Sequence, residues 1–134
     1  MNNVAFRAAV LCLALFAGPI SAQTFALNES FALGVGKTLQ LIDSNFSIKF
    51  VRVEYDGRCP TGVGCIWQGD AAVQFEIEAD GSAQLITLHT VGGSHMPGTM
   101  EVLGHTVSLL SLAPYPRWQT ITPPEAYVAS LYVR

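Results

Sequence analysis

Charge is scarce in this sequence. Charged residues make up 13% of the chain, and Lys and Arg gather nowhere into a cluster. Ten acidic residues stand against seven basic ones, a mildly acidic balance that argues against nucleic acid or an anionic membrane as partner. No window carries a sustained apolar stripe of helical period bounded by caps, which excludes a helical bundle. Nothing marks a second domain or a repeat. No G-x-S-x-G elbow or similar local frame sets a nucleophile beside a base. Glu76 and Glu78 alternate with apolar residues, as on a solvated strand face, so the acidic residues do not frame a glycosidase-like pair either. The chain is read as a non-enzyme.

Cysteine is scarce too, with three in all, and the start of the chain decides how many remain. Met1 to Ala22 reads as a secretory signal peptide: Arg7 supplies a short positive region and Ala8 to Ala17 an apolar one. Gly18 and Pro19 break that run, and Ile20-Ser21-Ala22 ends in a small residue suited to cleavage. The run is shorter than the roughly 20 apolar residues of a membrane span, so no stable anchor is expected after leader removal. Cys12 departs with the leader. The domain 23–134 then keeps Cys59 and Cys65, an even number expected to pair in a periplasmic or extracellular setting. Six basic residues face ten acidic ones there, a net charge of −4.

What is abundant is alternation. Val73, Phe75 and Ile77 point one way along Ala71 to Ala79, with Gln74, Glu76 and Glu78 the other. Asp80-Gly81 is a hairpin signal joining that strand to Gln84–Thr90. Further strands are expected over Thr38–Ile42, His105–Leu112 and Tyr127–Arg134. Phe46, Ile48 and Phe50 are out of phase with Val51, Val53 and Tyr55, which predicts a bulge or burial on both faces. Val91 to Gly104 reads as a Gly-rich loop, and Pro114, Pro116, Pro123 and Pro124 punctuate a long connection. About seven short strands predict an all-β domain, a β-sandwich of immunoglobulin-like architecture or a small barrel, with the strand order open.

The organising stretch is Arg58-Cys59-Pro60-Thr61-Gly62-Val63-Gly64-Cys65-Ile66-Trp67-Gln68-Gly69, a turn stapled by its two cysteines. Pro60 fixes φ, Gly62 and Gly64 admit positive φ, and Trp67 is expected to fill one end of the core. From Arg58 to Gly69 the stretch resembles the R-C-P-x-G-x-x-C-x-W-x-G signature of small exported bacterial proteins of uncharacterised function. Leu112-Ala113-Pro114-Tyr115-Pro116 and the closing Tyr127-Val128-Ala129-Ser130-Leu131-Tyr132-Val133 are similar to later segments of that family. The resemblance implies an exported β-rich domain and brings no catalytic residues with it.

Three functions follow as expectations. The first is a binding or accessory module of unknown protein or small-ligand partner. In it, Arg58, Pro60, Thr61, Val63 and Trp67 stand on the rigid turn, and Tyr115, Arg117 and Trp118 form a second aromatic-basic cluster. The bland alternative makes Arg58 a surface charge pairing with Asp56 or Asp70. The second is a periplasmic copper protein. His89, His95, Met96, Met100 and His105 are suitable ligands if the Gly-rich loop gathers them, although no element enforces their spacing. The third is a protease inhibitor presenting the constrained loop. No cofactor is expected in the first and third.

Overall fold

The structure, a computed structural model, describes Gly18 and residues 22–134. The expected leader therefore lies almost entirely outside the described residues. Nine strands follow in order: β1 (Thr24–Phe25), β2 (Ser30–Gly34), β3 (Thr38–Leu41), β4 (Ser47–Asp56), β5 (Ala71–Ala79), β6 (Ser82–His89), β7 (Thr99–Val102), β8 (His105–Ala113) and β9 (Val128–Val133). A 3-10 turn covers Pro124–Ala126.

These strands build two sheets, one ordered β1-β3-β4-β5-β6 and the other β2-β9-β8-β7. All pairings are antiparallel except the two-residue β1 against β3. The sheets pack face to face and do not close, so the domain is a sandwich rather than a barrel. Its core holds the inward set of β5, Val73, Phe75 and Ile77, all at 0% exposure. Ile48 and Phe50 of β4 meet Leu33, Val107, Leu131 and Val133 of the other sheet's strands in the same buried cluster. Each such side chain contributes about 1.5–3 kcal/mol on burial.

The phase break in β4 is a bulge. Phe50 pairs with Phe75 and Val53 with Val73, so three steps on β4 match two on β5. Asp80 and Gly81 form the two-residue turn between β5 and β6, both at positive φ (49° and 80°), as a type I′ hairpin requires. Ile86 and Leu88 take the inner face of β6, and Leu85 is exposed. One expectation is corrected here: Thr99–Val102 of the supposed Gly-rich loop is strand β7, paired with β8 through a Leu103-Gly104 turn.

Strand direction places three long connections at one end of the sandwich. These are β4 to β5 (residues 57–70), β6 to β7 (residues 90–98) and β8 to β9 (residues 114–127). They meet around a cleft of about 140 Å³ lined by Arg58, Gln68, Gly69, Thr90, Val91 and Tyr115. The larger openings, about 340 and 570 Å³, lie at the opposite end among the turns at 101–106 and 40–45.

Candidate binding surface

The stapled loop extends the β4–β5 hairpin. Gly57 N–H donates to Asp70 O (2.7 Å) and Cys59 N–H to Gln68 O (2.8 Å), above which Cys59 and Cys65 are bridged with Cα atoms 6.0 Å apart. Gly69 makes this possible. At φ +74° it sits so close to the opposing strand that a Cβ would lie 2.0 Å from Gly57 O.

Arg58 was expected on the surface and is found inside, 8% exposed. Its Nε donates to Asp56 Oδ1 (2.8 Å) and its Nη2 to Asp56 Oδ2 (2.7 Å), a bidentate pair. The remaining donors reach the other sheet, Nη1 to Leu112 O (2.6 Å) and Nη2 to Pro114 O (2.9 Å). Tyr127 Oη–H donates to Asp56 Oδ2 (3.0 Å), and the guanidinium lies 5.0 Å from the centre of the Tyr115 ring. Arg58 is thus a strut between the stapled loop and the β8–β9 connection. Burial pushes the Asp56 carboxyl up, but hydrogen bonds and charge from Arg58, with help from Tyr127, more than offset this and hold it below the usual range.

A second polar cluster closes the neighbouring corner. Asp70, 3% exposed, accepts from Tyr55 Oη–H (3.0 Å), Thr90 Oγ1–H (3.2 Å) and Val91 N–H (3.1 Å), and meets His89 Nδ1 at 2.5 Å. Burial again pushes the carboxyl up. The hydrogen bonds from His89, Val91 and Tyr55 outweigh it, so Asp70 titrates low. Thr90 Oγ1 also accepts from Ala71 N–H (2.9 Å), tying β5 to the start of the 90–98 loop.

With these two clusters closing the end of the core, Trp67 is left outside it. Its side chain is 54% exposed and Ile66 beside it is fully exposed, contrary to the core-facing expectation. The two residues lie beyond the Cys59–Gln68 pair, on the stapled loop outside the strands of both sheets. The β8–β9 connection lies alongside. Thr61 N–H donates to Pro116 O and Trp118 N–H to Thr61 O, both 3.0 Å, and Gly62 backs onto the Trp118 Cβ. Val63, Ile66, Trp67, Tyr115, Trp118 and Ile121 are all exposed on these two loops, with Arg117 among them and Pro60 half-buried beneath. The two groups expected to form binding clusters are therefore one continuous surface. Sequence reasoning missed Ile66 and Ile121 as members of it, although an isoleucine beside a stapled turn was a visible signal.

The copper set is dispersed. His89 is engaged by Asp70 at the end of β6, while His105 lies beside Gln84, near the start of that strand, and packs 4.3 Å from the Phe46 ring. Five residue steps of strand, about 17 Å, separate those positions. His95 is exposed, Met96 half-buried, and Met100 packs against the core from β7. Among the described residues no three His, Cys, Asp or Glu side chains form a metal-holding group.

The clefts at the loop end hold about 140 and 150 Å³, below the range of a site that encloses a small molecule. What this end offers is an outward surface on a rigid frame. No family model, curated protein or solved structure matches the chain significantly.

Proposed function

We infer that this chain is an exported, non-enzymatic binding or accessory module whose working surface is the loop end built from the stapled loop and the β8–β9 connection. One observation carries the reading. Six of the twelve exposed large apolar side chains among the described residues stand on these two loops, and an exposed concentration of that kind marks a docking surface. The frame supports it. A disulfide, the Arg58 strut and the Asp70 cluster hold the loops in place before any partner arrives, which lowers the ordering cost of association. Export is favoured by the leader-like start, by the disulfide and by the resemblance to small exported proteins. Among the described residues no helix is long and apolar enough to cross a membrane.

Photo-crosslinking tests this. A photoreactive amino acid replaces Ile66, Ile121 or, as a control on β6, Leu85, and the protein is exported and irradiated in its native compartment. Adducts from positions 66 and 121 and none from 85 are expected. Adducts from all three alike, or from none, would contradict the assignment of the surface.

A further inference from the structure

Resting on that reading, we propose that the occupant of the loop end is the interfacial layer of a phospholipid bilayer, engaged reversibly. The most exposed points of the surface are aliphatic, Ile66 at 105% and Ile121 at 92%. The two tryptophans of the chain, Trp67 and Trp118, stand beside them about half exposed. Protein-binding hot spots are dominated instead by aromatic and Arg side chains seated in pockets. Aliphatic tips suit hydrocarbon, while indole and phenol rings, apolar with one polar group, settle at headgroup level.

The charge pattern agrees. Residues 57–69 and 90–98 contain no Asp or Glu, and the 114–127 connection holds one of the chain's ten, the exposed Glu125. The two carboxylates that flank the stapled loop are turned inward, Asp56 onto Arg58 and Asp70 onto His89 and Tyr55. The charges presented outward on these loops are those of Arg117 and, near the start of β9, Glu125. With no carboxylate on the stapled loop and one on the connection, the surface approaches lipid phosphates with little repulsion, and Arg117 is placed to pair with one of them. Ile66 and Ile121 enter the acyl boundary, Trp67, Trp118 and Tyr115 lie among the headgroups, and Arg117 meets a phosphate. The acidic balance of the whole chain gives no long-range attraction, so this contact is short-ranged and apolar.

The test is flotation of the oxidised, leader-free protein with vesicles of phosphatidylethanolamine containing a minority of phosphatidylglycerol. Ile66→Ser and Ile121→Ser are compared with Leu85→Ser, all three at exposed positions, after melting curves and intact mass establish that each variant is folded and bridged. The wild-type protein and Leu85→Ser are expected to float. Each loop variant is expected to lose about tenfold in bound fraction, the scale of one aliphatic side chain returned to water. Raising the salt concentration changes wild-type binding by no more than about twofold, since one phosphate contact is screened. A wild-type protein that stays at the bottom of the gradient, or loop variants that float equally well, would overturn the lipid assignment. If flotation fails while positions 66 and 121 crosslink to a protein, the lipid assignment falls and the loop-end surface stands. If neither occurs, both fall.

Discussion

Arg58 is a guanidinium withdrawn from water and shared between a carboxylate and two backbone carbonyls, one on β8 and one on the β8–β9 connection. Removing it leaves the half-buried Asp56 without a countercharge, with Tyr127 as its remaining side-chain donor, so Arg58→Ala is expected to cost about 3 kcal/mol in urea unfolding. Arg58→Lys is expected to recover only a minor part, because an ammonium cannot span the bidentate pair and both carbonyls at once. Loss of less than about 1 kcal/mol in Arg58→Ala would show that the strut carries no weight. Gly69 and Gly64 give a sharper contrast within one loop. A Cβ at residue 69 meets backbone at 2.0 Å, whereas one at residue 64 meets nothing within 4 Å. Gly69→Ala is expected to destabilise severely or prevent folding and Gly64→Ala to be near neutral, as thermal melts of the two would show.

At the scale of the element, the stapled loop is a hairpin extension whose outer residues face solvent. Reducing the Cys59–Cys65 bridge, or replacing both residues with Ser, is expected to cost about 2–2.5 kcal/mol on the chain-entropy model for so short a ring. Intact mass after alkylation shows whether the protein made in its host cell carries the bridge. In a Trp118→Phe variant, Trp67 is expected to emit as a largely exposed indole, and a blue-shifted maximum would contradict its placement. The elements differ in how far they could be read from the chain. Strand β5 is legible because Val73, Phe75 and Ile77 alternate cleanly, and the β5–β6 hairpin because Asp-Gly supplies both positive-φ positions. Strand β7 is hidden, because its four residues sit between Gly98 and a Leu103-Gly104 turn whose first residue gives no turn signal. Arg58 and Trp67 exchange their expected places for a reason no local pattern holds. The carbonyls that draw Arg58 inward, those of Leu112 and Pro114, lie more than fifty residues further along the chain. The joining of the stapled loop to Arg117 and Trp118 is likewise a product of strand order.

Across the whole molecule the sandwich has a polar loop-end frame and an apolar outer surface, and the two respond to different perturbations. Asp56 and Asp70 both titrate lower in the folded protein than in the unfolded chain. The unfolded state therefore binds protons more readily in acid. The stability these carboxylates supply is fully present above their ordinary value near 4 and is lost as pH falls through the lower folded values. Tyr55 and Tyr127 are shifted the other way. Hydrogen bonding to Asp70 leads for Tyr55 and burial for Tyr127, so their contribution is present below about pH 10 and lost above it. A melting-temperature profile is expected to stay flat through neutrality and fall at both extremes. The acid limb is expected to be shallower in Asp70→Asn, and an unchanged limb would remove that carboxylate from the account.

The rigid loop end is proposed as the surface at which this protein works. Amide hydrogen exchange of the oxidised protein, with and without the envelope fraction of its host cell, is the decisive measurement. Added protection confined to residues 57–69 and 113–124, with β6 and the turns at the opposite end unchanged, is the expected result. Protection centred on those opposite turns, or none at any peptide, would contradict it.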